Sequence, residues 1–400
     1  MPKTREEVNK GLWKKFRKST TKTVLAESGG AISFASNSAS QSTGSTSNAV
    51  ALSKAFKKLN DIDFSYNIAE QLENPLIDYI GRIECYENHR LRSEGDTLEL
   101  NEIQWQQVHL AAEWAVQVHK IDKSSEDTIF HGIKDPTGHT RQFCLHKATI
   151  DGRVTVVIAF RATRYPMYSP MQMAVNTNAE PIACEELGVG MKVHRGFLSL
   201  AKSMETSVAA KLDELLATGL TDGVGLLFTG HSSGAAIAQL LFAFMHSESS
   251  PIARFKSLDS ITCVDCITFG GPPVSSYPIT FPSKKASLFM SFINEGDPVP
   301  LAQEEYMHSL VQAYTQPVTK TEWEVPRPFY LPSGNQVVLR CESHQSGDVE
   351  RVVTLRVECA ALEGLLFGDI VMHSMSIYKD RIQKILGQLA LPQDPFEDPQ

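Results

Sequence analysis

The segment "GLLFTGHSSGAAIAQLLFAF", Gly225 to Phe244, constrains this chain more than any other. Gly225 to Thr229 is an apolar run with the length of a buried strand, and Ala235 to Phe244 is a longer run of good helix formers. Between them stand Gly230, His231, Ser232, Ser233 and Gly234. A strand that becomes a helix within so few residues brings two backbones together, and glycine on both sides of the corner removes the Cβ atoms that would collide. Strand, corner and helix in that order form a unit of an α/β sheet. It would present Ser232 at the carboxyl edge of the sheet, with the backbone N–H of Ser233 beside it at the helix N-terminus. The pattern G-x-S-x-G is common by chance, so it gains weight only from an acid and a histidine later in the chain.

The surrounding sequence supplies candidates for both. "WQQVHLAAEWAVQVHK" (Trp105 to Lys120) reads as a helix, "RVTVVIAF" (Arg153 to Phe160) as a buried strand, and "VHRGFLSLAKSMETSVAAKLDELLATG" as a long helix. "ITCVDCITFGG" and "KASLFMSFINEGDPVP" read as two further strands, each ending in a loop where α/β sheets place their chemistry. Asp297 follows the apolar run Leu288 to Ile293, and Pro298 and Pro300 restrict its loop. As an acid it would accept an imidazole N–H and stabilise the imidazolium formed during acyl transfer. Three histidines follow it. His373, in "GDIVMHSMSIYKDRI", sits beside the last helical pattern and is favoured as general base. His308 comes soon after the acid loop, and His344 lies in the polar stretch "CESHQSGD".

Composition limits the alternatives. Four hundred residues with 42% hydrophobic side chains can fill a large α/β core. The formal charge of −8 is uneven: residues 1 to 22 carry eight basic and two acidic side chains, which leaves −14 on the remainder and argues against nucleic acid as a partner of the main body. Seven scattered cysteines suit reduced thiols better than a disulfide framework. Cys263 and Cys266 form a lone C-x-x-C inside an apolar run, which favours core packing over a metal site, and no metal or organic cofactor is expected.

The chain divides at composition changes. Residues 1–53 join a basic segment, "KGLWKKFRKSTTK", to a serine-rich stretch and read as a flexible extension; residues 54–390 read as the catalytic domain and 391–400 as an acidic tail. Trp13 and Phe16 among lysines suit a peripheral contact with an anionic membrane or lipid-droplet surface, or a mitochondrial presequence, against the plainer alternative of a solvated tail. No apolar run approaches the ~18 residues of a membrane span. With no signal-peptide apolar core either, the expectation is a soluble chain kept inside the cell, in the cytoplasm unless the basic segment directs it elsewhere.

Five blocks in order, "VVIAFRAT", "VHRGF", "FTGHSSGAAIAQL", "ITFGGPPV" with "FINEGDPVP", and "HSMSIY", resemble the lipase (class 3) family of fungal and plant lipases and esterases. They span Val156 to Tyr378. The resemblance implies an α/β-hydrolase fold, a mostly parallel central sheet flanked by helices, with Ser232 as nucleophile, Asp297 as acid and His373 as base. It also implies an oxyanion hole made by Thr163 and Ser233. Ala162 stands where the family usually has glycine, and Ser233 where leucine is common. The stretch after Thr163, with Tyr165, Met167, Tyr168 and Met171, lies where the family has its lid and suits an adaptable apolar cover as well as plain loop packing.

The expected activity is hydrolysis of carboxylic esters, above all lipid (acylglycerol) esters, through an acyl-enzyme on Ser232. A lipase-like interaction module without turnover and an acyltransferase using the same acyl-enzyme are the alternatives. Removal of residues 1 to 52 should leave hydrolysis of a soluble short-chain ester unchanged and should weaken binding to anionic vesicles, measured by co-sedimentation at low and high salt. Loss of soluble-ester activity would show that the segment packs on the domain.

Overall fold

The computed structural model describes residues 80–92, 95–134, 140–162, 179–217, 223–247, 249–280, 287–343 and 350–390. The basic N-terminal segment, the acidic tail, Thr163 with the stretch after it, and His344 lie outside these residues. In chain order the strands are β1 (Asp96–Thr97), β2 (Thr128–Lys134), β3 (Thr140–Ile150), β4 (Arg153–Phe160), β5 (Pro181–Ala183), β6 (Lys192–His194), β7 (Val224–His231), β8 (Ile261–Phe269), β9 (Phe289–Asn294), β10 (Asn335–Ser343) and β11 (Glu350–Val357). The longer helices are α1 (Glu102–Gln117), α2 (Arg195–Leu216), α3 (Ser233–Met245), α4 (Glu304–Thr315) and α5 (Met375–Ala390).

Nine of these strands form one sheet in the order β1-β11-β10-β9-β8-β7-β4-β3-β2. The middle five, β10-β9-β8-β7-β4, run parallel, and the strands outside them pair antiparallel. Parallel neighbours need a crossover, and the sequence supplies α2 between β4 and β7 and α3 between β7 and β8. Every residue of β7 is buried, which is why this strand reads as a continuous apolar run without alternation. Its side chains still alternate between faces. Leu226 and Phe228 pack with Val156, Ile158 and Phe160 of β4 against α2 and α3, whereas Leu227 packs with Val157 and Ala159 against α1 and α5. The helices thus cover both faces of the parallel core.

Local chemistry moves several boundaries from their sequence positions. Apolar periodicity marks Trp105 as the first buried residue of α1, but the helix begins at Glu102. There Asn101 accepts from the Gln104 N–H at 2.9 Å while the Gln104 side chain accepts from the Asn101 N–H at 3.0 Å, a reciprocal cap that holds an extra polar turn. The long helix starts at Arg195 instead of Val193, because Val193 pairs with Ile182 in the small β5–β6 sheet and His194 takes the N-cap. The β10–β11 hairpin was not expected. It enters the chain between Asp297 and His373 and widens the sheet beyond β9.

Among the described residues, no helix is long and apolar enough to cross a membrane. Within the C-x-x-C of β8, Cys266 is fully buried and Cys263 partly so, on either side of a buried carboxylate. Asp265 accepts from the Leu288 N–H at 2.7 Å and from Gln107 of α1 at 2.9 Å. These bonds favour its anion, but burial outweighs them and pushes the carboxyl up to about 6. A raised carboxyl favours folding fully below its ordinary value, and that contribution is lost as pH rises through about 6. Asp265→Asn keeps an acceptor for Leu288. It should therefore unfold at higher denaturant concentration than the wild type at pH 8, with the difference closing by pH 4; an equal gap at both pH values would refute a buried charge as the cause.

Candidate active site

The corner between β7 and α3 is built by contacts that only glycine allows. A Cβ on Gly230 would lie 2.5 Å from the carbonyl carbon of Gly234, and one on Gly234 would lie 2.3 Å from the carbonyl oxygen of Phe160 in β4. Ser232, caught between them, has φ 58° and ψ −129°. It shares positive φ with one other described residue that is not glycine, Asp151. Such a backbone costs about 1–3 kcal/mol and persists only where the surroundings enforce it. The Ser232 N–H donates to Phe269 O at 3.1 Å, and its carbonyl accepts from Ala235 and Ala236 to begin α3. Ser233 opens that helix, whose first backbone N–H groups point out of its N-terminus. Ala162, in the usual glycine position of the resemblance, keeps a negative φ, so alanine is accommodated without strain.

Asp297 and His373 meet from loops that are far apart in sequence. Asp297 follows β9, and His373 ends the short turn Ile370–His373 ahead of α5. Both are fully buried. The His373 Nδ1 lies 2.9 Å and 3.1 Å from the two carboxylate oxygens of Asp297. Because a carboxylate only accepts, the proton belongs on Nδ1, which leaves the lone pair of the neutral ring on Nε2. Asp297 also accepts from the Val299 N–H at 2.9 Å and from the Tyr378 hydroxyl at 2.6 Å. Burial, reinforced by the Asp297 charge, pushes the Tyr378 hydroxyl far up, so it stays a neutral donor. The acid loop is anchored sideways by Glu295, which pairs with Arg340 of β10 at 2.8 Å and accepts from the Leu91 N–H.

Two contacts join this pair to the serine corner. Gly270, at φ 56° just past Phe269, lies so close that a Cβ there would be 2.9 Å from Asp297 Oδ2 and 3.1 Å from His373 Nδ1. His231, the residue before Ser232, donates from Nε2 to the carbonyl oxygen of His373 at 2.8 Å, with the two rings 4.5 Å apart. Burial first, and then the neighbouring His373, hold His231 well below the usual histidine range, so it serves as a neutral donor. The structure therefore gathers Ser232, Ser233, Asp297 and His373 at the carboxyl ends of β7, β8 and β9. His308 points to solvent from α4 and takes no part. Sequence reasoning missed His231 and Tyr378 as partners of the pair; Tyr378 stood inside the quoted "HSMSIY", but periodicity does not distinguish a core tyrosine from one aimed at a carboxylate.

Residues 157–307 match the model of the Lipase (class 3) family. The matched segment runs from β4 through the serine corner and the acid loop into α4, and the described residues have the α/β-hydrolase arrangement of parallel sheet, flanking helices and strained serine corner. Similar solved structures include a Rhizomucor miehei lipase propeptide complex in a deletion-mutant form (17% identity, covering 70% of this chain and 80% of that one, TM-score 0.45). Others are a lipase from Rhizopus microsporus var. chinensis (17%, 70% and 88%, 0.42) and a triacylglycerol lipase from Penicillium expansum (14%, 70% and 98%, 0.43). No curated protein sequence matches the chain.

The backbone at Ser232 yields a stability test. Glycine adopts positive φ without the side-chain clash, at an entropic cost of about 0.5–1 kcal/mol. Ser232→Gly should therefore unfold at a slightly higher temperature than the wild type, by thermal denaturation, while losing all Ser232 chemistry. A clearly lower midpoint would mean that the corner is unstrained.

Proposed function

We propose that this chain is a serine hydrolase that cleaves carboxylic esters, with lipid esters of the acylglycerol type as its substrates. The observation that carries this reading is the strained Ser232 at the mouth of α3 beside a buried Asp297–His373 pair. A serine on an ordinary loop needs neither the strain nor a buried acid–imidazole pair next to it.

The chemistry follows from the tautomer. The His373 Nε2 lone pair takes the proton of the Ser232 hydroxyl as its oxygen attacks the ester carbonyl, and Asp297 holds the resulting imidazolium through Nδ1. Negative charge moves to the carbonyl oxygen, where the Ser233 N–H at the head of α3 and the Thr163 N–H are the proposed donors. His373 then protonates the departing alkoxide, and water repeats the sequence on the acyl-enzyme. No step calls for a metal. The lipase family match supports lipid esters as the substrate class, and activity on p-nitrophenyl esters of increasing chain length, below and above the micellar concentration, would define the acyl preference.

Ser232→Ala should lower kcat by about four to six orders of magnitude with an unchanged circular dichroism spectrum, because nucleophile and base act as one unit. His373→Ala, alone or combined with Ser232→Ala, should leave the same residual rate. Ser233→Ala keeps its backbone donor and should stay within about threefold of wild type. A severe loss in Ser233→Ala with an active Ser232→Ala would exchange the roles of the two serines.

A further inference from the structure

Asn294 is the last residue of β9, fully buried and three residues before Asp297. Every polar group it has is committed. Its carbonyl accepts from the Asp297 N–H at 2.9 Å, and its own N–H donates to the Tyr378 hydroxyl, the same hydroxyl that donates to Asp297. Its side-chain Nδ2 donates to the carbonyl oxygen of Met372 at 2.8 Å, and its Oδ1 accepts from Arg381 of α5 at 3.0 Å. Arg381 is itself buried, and its guanidinium also donates to Leu339 O at 2.9 Å and contacts the Met372 sulfur at 3.2 Å.

We propose that Asn294 is a positioning residue for the reaction: its Nδ2 grips the main chain that carries His373, and Arg381 fixes which way round the amide sits. The proposal rests on the hydrolase reading given above. Its chemistry is one of donors and acceptors. Arginine has donors and no acceptor, so the amide atom that faces it is the oxygen; Nδ2 is thereby turned to Met372 O, which can only accept. No other orientation satisfies both neighbours.

The grip matters because the turn Ile370–His373 is short. Its first residues are capped by the Asp369 carboxylate, which accepts from the Val371 N–H at 3.0 Å. The last two carbonyls face the site. Asn294 holds that of Met372 and His231 holds that of His373, so the backbone of the base is pinned on either side of its α-carbon by one residue from the acid's strand and one from the nucleophile's strand. The imidazole can then use its Nδ1 bond to Asp297 for orientation alone.

Asn294→Asp isolates the donor. The aspartate keeps size and an acceptor for Arg381 but sets oxygen against Met372 O. Measured on a soluble ester with the full chain, and corrected for folded fraction by circular dichroism, its kcat should fall about tenfold to a hundredfold, the scale on which a displacement of about 1 Å acts, with KM within about twofold. Asn294→Ala should show the same split. Arg381→Met, which frees the amide to turn, should also lose kcat, and Arg381→Lys, which still donates to Oδ1, should recover most of that loss. If Asn294→Asp does not fold, the comparison of Arg381→Met with Arg381→Lys decides. Wild-type kcat in the folded Asn294 variants, a loss confined to KM, or Arg381→Lys as impaired as Arg381→Met would overturn the proposal. In that case Ser232-dependent hydrolysis by the wild type would remain; wild-type protein without such hydrolysis would overturn the hydrolase reading and the proposal together.

Discussion

The contact on which the site depends is bare backbone against bare backbone. Where β7 turns into α3, neither Gly230 nor Gly234 has room for a Cβ, since Gly234 and the β4 carbonyl of Phe160 already occupy the space. This contact sets the helix directly on the ends of the strands. It drives Ser232 into positive φ, lays its N–H on Phe269 O, and leaves Gly270 pressed against the acid–base pair. A looser corner would let the serine relax to an ordinary conformation and would draw its hydroxyl away from the edge of the sheet. Thus the position of Ser232 is set by packing far stiffer than a hydroxyl's own hydrogen bonds.

Around that corner the polar groups are sorted by what they can donate. Tyr378 and His231 are buried neutral groups that give hydrogen to fixed acceptors, the Asp297 carboxylate and the His373 carbonyl. Asp369, which caps the turn of His373, is different: burial lifts its carboxyl to about 7, and nearby acids oppose its charge while Arg381 favours it. The cap therefore weakens as the pH falls below neutrality. The site is held by several elements that each supply one bond, and the removal of any one leaves a buried partner exposed to its full desolvation cost.

Much of this arrangement was legible in the sequence, and the reason differs between parts. The strand β4 and the corner were clear because a parallel strand buried on both faces has to be apolar throughout, and because two glycines in a turn announce close approach. The start of α2 was displaced because apolar periodicity does not reveal that Val193 has a strand partner. The β10–β11 hairpin was missed although "VVL" and "RVVTLRV" have strand composition, since its pairing with β9 depends on contacts remote in sequence. Asp297 and His373 could be ranked by chain order, but the roles of Asn294 and Arg381 could not. A buried asparagine and a buried arginine look like surface residues until their partners are in place.

The β10–β11 hairpin also determines when the site comes into being. Asp297 and His373 are 76 residues apart, and the intervening chain holds α4 and both hairpin strands, of which β10 pairs with β9 and β11 with β10, ahead of α5. Contacts of such long sequence separation form late, because loop closure has to be offset by packing already gained. A nascent chain released through Asp297 carries the serine corner but not His373. The Asp297–His373 pair is therefore absent from every partly made copy of the protein, and forms only when the segment ahead of the last helix is in place.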